Sequence, residues 1–316
     1  MDKIRKSHII ATVGAVITMG IASGSAFAGG FLDVEFSDVD LNTPLIIDNP
    51  YWPLRPDVPA DCTVSDTCNN RIFTYIGETD DECVIDQISV NDPVFGATYE
   101  LNEFETAPAP YDGLVAVQVV DTEWVFEELP DGVECDTDLL FGDDADEALK
   151  ELTLDWYVQD DQDNIWYVGE LSQNYEEDGC GSYPNPDVNP VDDPQCFEGS
   201  WEAGMPGGED DEEVIGEAGI VVPGDEPIAG EPLSNGTYYF QEVAYEAEDM
   251  AKVLRMNARL DDFESCRKVK EWNPLEHGES VEHKWYCPDG GGLVLIEGKG
   301  GGPTEVEELV SIVPPL

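Results

Sequence analysis

The chain has 316 residues, enough for one large or two ordinary domains, and carries 70 Asp and Glu against 14 Lys and Arg, a formal net charge of −56. Apolar residues make up 41%, with 12 Tyr, 11 Phe and 7 Trp, which is too rich for a disordered acidic tail. A field of this sign repels phosphate backbones and anionic membranes, so no nucleic-acid partner is expected.

In chain order, Lys3, Arg5 and Lys6 form a basic start, Ile9 to Ile21 an apolar stretch and Ala26-Phe27-Ala28 a small-x-small cleavage motif. This is the pattern of a bacterial signal peptide cut after Ala28. It implies a secreted or periplasmic protein with no transmembrane span after cleavage, because the apolar core is short and its downstream flank acidic. The rest reads as one mostly-β domain over 29–316, with a possible sub-boundary in the acidic loop near 204–217. All eight cysteines follow the cleavage motif, and an even count in an exported chain favours disulfides over metal thiolates.

Asp38-Val-Asp40-Leu-Asn42 spaces three oxygen side chains two apart, a first candidate for a hard cation such as calcium. Strand-length apolar or alternating runs follow at Arg71–Gly77, Glu82–Val90, Leu114–Val120, Glu123–Glu128, Thr153–Gln159, Ile165–Glu170, Gly236–Ala244, Cys266–Trp272, Val281–Cys287 and Gly292–Glu297. Turn-rich stretches separate most of them. Helical pattern is confined to Asp143–Leu152 and Glu246–Leu260. The expectation is a mostly-β, antiparallel sandwich, half-barrel or barrel with long acidic loops. Asp136–Glu147 and Gly204–Glu217, the latter with Glu209-Asp-Asp-Glu-Glu213, are those loops.

Asp155 to Glu170 carries the strongest local signal, two strands joined by an Asp/Asn loop. A turn centred on Gln162 pairs Trp156 with Val168 and Val158 with Trp166 on an apolar core face, and sets Tyr157 opposite Tyr167 on the other, with Gln159 near Ile165. That Tyr face is a second core layer or a ligand platform. Asp160, Asp161, Asp163 and Asn164 crowd the tip and form the second candidate calcium site.

Cys180 and Cys196 bracket a Pro/Asn/Asp-rich loop, and Cys266 and Cys287 face each other across a hairpin turning near Glu276-His277. Cys62, Cys68, Cys83 and Cys135 leave three connectivities open. Six cations cluster in Lys252–Lys270, which suggests a salt-bridge seam or a positive spot for a small anion.

Several of these pieces resemble an uncharacterised family of secreted bacterial β-rich proteins whose hairpin reads Asp-Trp-Tyr-x-Gln-Asp-x-x-x-Asn-x-Trp-Tyr-x-Gly-Glu. They are Asn49-Pro-Tyr-Trp-Pro-Leu-Arg-Pro56, the Asp155–Glu170 hairpin, Gly199-Ser-Trp-Glu-Ala-Gly204, Tyr239 to Ala251, and Pro274–Gly292 with Glu282-His-Lys-Trp-Tyr286. The resemblance implies a secreted β-rich build; the family has no established activity, so no catalytic residue carries over. This chain departs from it in its cysteines, its acidic insertions and Asp163, where a turn Gly is usual.

No G-x-S-x-G elbow follows the cleavage motif and no HExxH occurs. Gly290–Gly292 and Gly298-Lys-Gly-Gly-Gly302 miss the phosphate-loop spacing, and His283 reads as a strand residue. The leading expectation is a non-enzymatic, exported or envelope-associated protein binding calcium or other divalent cations through acidic loops. The alternatives are a carrier of a small hydrophobic ligand and a carboxylate hydrolase acting on glycans. The acidity also matches salt adaptation, in which carboxylates keep a surface hydrated under strong screening.

Overall fold

The computed structural model describes residues 29–42, 46–54, 71–78, 82–90, 98–100, 111–127, 129, 132–142, 145–175, 194, 196–197, 199–207, 214–244, 247–275, 281–298 and 305–313. The leader at 1–28, Cys62, Cys68, Cys180, the acid run 209–213, His277 and the turn at 299–302 lie outside them.

Among the described residues, sixteen strands account for nearly all regular structure. The first six are β1 (Ile72–Glu78), β2 (Glu82–Ser89), β3 (Thr98–Glu100), β4 (Val115–Glu127), β5 (Leu149–Gln159) and β6 (Ile165–Asn174). The two-residue strands β7 (Trp201–Glu202), β8 (Pro206–Gly207) and β9 (Val214–Ile215) precede β10 (Glu217–Val222). A meander follows: β11 (Tyr238–Ala244), β12 (Ala247–Leu260), β13 (Phe263–Trp272), β14 (Val281–Cys287), β15 (Gly292–Gly298) and β16 (Glu305–Val313). β16 pairs with β1, the sheet continues through β2, β4, β5 and β6, and β6 pairs with β10, which also pairs with β11. The ring is a closed, antiparallel barrel of twelve strands, and closure removes the exposed edges that would invite aggregation. Of the folds the sequence leaves open, the barrel is the one formed.

Two glycines permit close contacts in the wall. Gly219 of β10 lies so near β11 that a Cβ would sit 2.3 Å from the backbone of Gln241. Gly169 has φ +154° and forms a bulge in β6, where a Cβ would meet Trp156 at 2.8 Å. That bulge corrects one expected pair: Tyr157 faces Tyr167, Val158 faces Trp166 and Gln159 faces Ile165, but Trp156 faces Gly169 instead of Val168. Asp163 takes a left-handed φ of 61°, which Asp tolerates better than most residues.

The helical expectations give way to strand. Glu246–Leu260 is almost wholly β12, held between β11 and β13, since pairing on both sides outweighs a modest local propensity. Asp143–Leu152 keeps one turn, Ala145–Ala148, before β5 begins. Leu114–Val120 and Glu123–Glu128 merge into the single strand β4.

Cys266–Cys287 joins neighbouring strands as the hairpin register required, and Cys83–Cys135 ties β2 to the segment after β4. Around that second bridge, Ile85, Phe126 and Ala148 form a small outer core. Cys196 is also disulfide-bonded. The basic run reads as a seam: Arg259, Arg267 and Lys268 pair with Glu264, Asp225 and Glu297. No helix among the described residues is long and apolar enough to cross a membrane. On β13 to β16, strand alternation puts Lys268, Lys270, His283, Glu297 and Glu308 on the face away from the barrel interior. A barrel embedded in lipid presents an apolar band there.

Eight strands enclose a space that side chains can fill; twelve enclose more. Part of the surplus is taken by residues 46–54, which run across one mouth. Gln159 of β5 accepts from the Asp48 and Asn49 amides through Oε1 and donates to Asp48. The Arg267 guanidinium of β13 lies 3.7 Å over the Tyr51 ring, and Gly292 of β15 packs against Tyr51, Trp52 and Pro53. Ile47, Tyr51, Trp52 and Leu54 are buried there, forming a floor.

Candidate functional site in the barrel lumen

Above this floor lies a cavity of about 440 Å³. Strand alternation sends every second side chain inward, and an unusual number of these are acids. Asp86, Asp121, Glu123, Glu151, Asp155, Glu170, Glu242, Asp249 and Glu271 line the cavity with a single cation, Lys284.

The acids are not evenly spread. Asp86 of β2 and Asp121 of β4 hydrogen-bond to each other, an arrangement that needs a shared proton. Burial pushes both carboxyls above the usual range, and each acid's neighbours add to the effect: Asp121 for Asp86, and Glu151 for Asp121. Next along the wall, the Tyr167 hydroxyl lies between two carboxyls, 2.6 Å from Asp155 Oδ1 and in contact with Glu170. One hydroxyl proton cannot satisfy two anions, so this triad too requires an acid proton. Burial raises Asp155 and Glu170, the first further through Glu170 and the second through Glu242. Glu242, which accepts from Trp201 Nε1 at 2.9 Å, is pushed up to about 8 by burial and by Asp249. Glu307 of β16 reaches about 7 through burial and Glu123.

Glu151 is better satisfied, accepting from Ser172 Oγ at 2.7 Å and Thr153 Oγ1 at 3.1 Å. Lys284 is committed to Glu271 at 2.8 Å and Glu282 at 3.4 Å. Burial alone would lower the Lys284 ammonium, but these carboxylates hold it well above its ordinary range.

Aromatic rings occupy the same wall and the floor. Tyr157 and Tyr167, the two residues the sequence offered as a ligand platform, both line the lumen and stack with centroids 4.9 Å apart. Trp52 meets Tyr157 edge-on at 5.3 Å, and Trp201 meets Tyr167 at 5.4 Å. Two residues of the lining each carry a buried polar atom with no hydrogen-bond partner, Trp52 at Nε1 and Asp86 at Oδ1.

The residues singled out for calcium lie elsewhere, and the structure brings the two groups together. The Asp161 amide donates to the Asp40 carbonyl, and the Asn42 amide to the Gln159 carbonyl, so the 38–42 segment runs beside the hairpin tip. Asp38 and Asp40 are exposed and Asn42 half-buried. Asp160 is fully buried, and its carboxylate accepts from the Gln162 and Asn164 amides, Asn164 Nδ2 and Trp166 Nε1, all at 2.8–2.9 Å. Asp163 accepts from Gln159 Nε2 at 3.2 Å, and Asn164 Oδ1 accepts from the Gly224 amide. Asp160 thus caps its own turn. Among the described residues no three His, Cys, Asp or Glu side chains converge as a metal set. Replacing Asp160 with Asn keeps one acceptor but turns an amide toward Asn164 Nδ2 and Trp166 Nε1. Thermal unfolding of Asp160→Asn should show a loss of about 2 kcal/mol, of equal size with and without millimolar Ca²⁺.

Six of the lumen acids, Asp86, Glu123, Asp155, Glu170, Glu242 and Glu271, lie in segments the sequence marks as strands; Asp121 falls between two expected strands, and Glu151 and Asp249 fall in the two segments with helical pattern. The available signal was acids at alternating strand positions, as in Asp121-Thr-Glu123 and Glu151-Leu-Thr-Leu-Asp155. An acid facing the same way as buried aromatics marks an inward polar face. No protein-family model, curated protein or solved structure matches the chain, so this lumen stands on its own geometry.

Proposed function

We propose that this is a non-enzymatic binding protein that takes a small organic cation, an amine, into the barrel lumen. One observation carries the reading: a cavity of about 440 Å³, within the usual range for small-molecule sites, is walled by nine acidic side chains and one already-paired lysine. Buried carboxylates gain most from a cation that supplies hydrogen-bond donors, and the Tyr157, Tyr167 and Trp52 rings favour an ammonium with an organic body over a bare ion. The same acids work against a purely apolar ligand, whose entry would leave them desolvated and unpaired. Calcium on the outer loop acids is the competing reading.

Thermal unfolding of the oxidised protein at pH 7.5 separates the two. Millimolar cyclohexylamine should raise Tm by several degrees with saturation, beyond the response to NaCl or CaCl2 of matched ionic strength. Glu242→Gln combined with Asp155→Asn should reduce that shift by more than half. A response to Ca²⁺ alone, or one that follows ionic strength whatever the cation, would overturn the lumen reading.

A further inference from the structure

We propose that the lumen's ligand is a hydroxylated amine, an amino sugar or amino polyol, and not a plain alkylammonium. This rests on the lumen reading above and narrows it. The carboxylates account for an ammonium, but the floor asks for something more. Trp52 is 94% buried (6% exposed), lines the cavity, and its Nε1–H has no partner. An unpaired buried donor is costly, and only an acceptor relieves it; an ammonium, which has none to offer, cannot. Asp86, also a lining residue, has Oδ1 unpaired and calls for a donor. A ligand suited to both needs a hydroxyl or ether oxygen in addition to its ammonium.

The aromatic surface fits the same class. Trp52, edge-on to Tyr157, and Tyr157 stacked on Tyr167 bring aromatic surface to the lining, the kind of surface on which the C–H groups of a pyranose or polyol pack. The carboxyls of Asp155 and Glu242, each 6% exposed, lie beside it to accept from O–H and N–H groups.

Titration calorimetry of the oxidised protein at pH 7.5 tests this with glucosamine, cyclohexylamine and glucose. Glucosamine should bind at least about fivefold tighter than cyclohexylamine, with glucose weakest. In Trp52→Phe, which keeps an aromatic ring but deletes the N–H, the glucosamine-to-cyclohexylamine affinity ratio should fall about fivefold to tenfold. The ligand-free variant should unfold at the same temperature or slightly higher, because an orphan donor has gone. Cyclohexylamine binding as tightly as glucosamine, or a ratio unchanged in Trp52→Phe, would overturn the hydroxylated class while leaving the amine reading intact. Failure of both amines, or glucose binding as well as glucosamine, would overturn both.

Discussion

Gly219→Val is expected to prevent barrel closure. β10 is the strand that joins the two halves of the ring, with β11 on one side and β6 on the other. At position 219 the added Cβ would meet the Gln241 carbonyl carbon and oxygen at 2.3 Å and the Glu242 amide nitrogen at 2.8 Å. These are backbone atoms of a neighbouring strand, so no rotamer change relieves the clash, and β10 must separate from β11. The cost should exceed about 4 kcal/mol, a large share of the usual 5–15 kcal/mol of a folded domain. The expected result is loss of the near-UV signal of the buried aromatics, or a Tm lowered by more than about 10 °C. Gly230→Val, at a turn glycine whose Cβ would meet nothing within 4 Å, is the control for generic glycine replacement. Its φ of +78° makes a smaller loss expected there.

The second large effect is on pH. In the folded chain Glu242 is raised to about 8 and Glu307 to about 7, both chiefly by burial, and Asp86, Asp121, Asp155 and Glu170 are raised as well. In the unfolded chain these groups return to about 4. Between those limits the native state therefore holds more protons than the unfolded state, and stability falls as pH rises. The contribution is complete below about pH 4 and is lost through pH 7–8. Most proteins rich in surface acids show the opposite trend as they leave the acid range. With ionic strength fixed, the ligand-free Tm should drop by at least about 8 °C from pH 5 to pH 8.5. The slope over this window reports the buried acids whose carboxyls are raised. Glu242→Gln, which preserves an acceptor for Trp201 Nε1, should flatten the profile.

What could be read in the sequence follows from what is local. The Asp155–Glu170 hairpin fixes its own register through its turn and its facing aromatics, so Tyr157 and Tyr167 are found opposite each other as expected. The Cys266–Cys287 bridge comes from the same kind of local reasoning. The barrel closure does not. Glu217–Val222 is only six residues long and is interrupted by Gly219 after a two-residue start, so it stands out little in the sequence; it becomes a strand because β6 and β11 meet it on either side. Glu246–Leu260 looks helical until β13 pairs along its length. The site was hidden for a related reason. In a chain with 70 acids, the few that matter are distinguished by facing inward around a closed ring, and that depends on strands far apart in sequence. The hairpin-tip acids are conspicuous because they are adjacent, yet Asp160 spends its oxygens on its own turn.

A cation entering this lumen must also meet carboxyls that carry protons, since the Asp86–Asp121 pair and the Asp155–Tyr167–Glu170 triad each need one to hold their hydrogen bonds. The most direct measurement is therefore calorimetric titration of a primary amine into the oxidised protein at pH 7, repeated in two buffers of different ionisation enthalpy. The lumen account predicts saturable one-to-one binding, protons released to the buffer on binding, and affinity that strengthens from pH 5 to pH 8. No saturable heat, or binding with neither proton release nor dependence on pH, would contradict it.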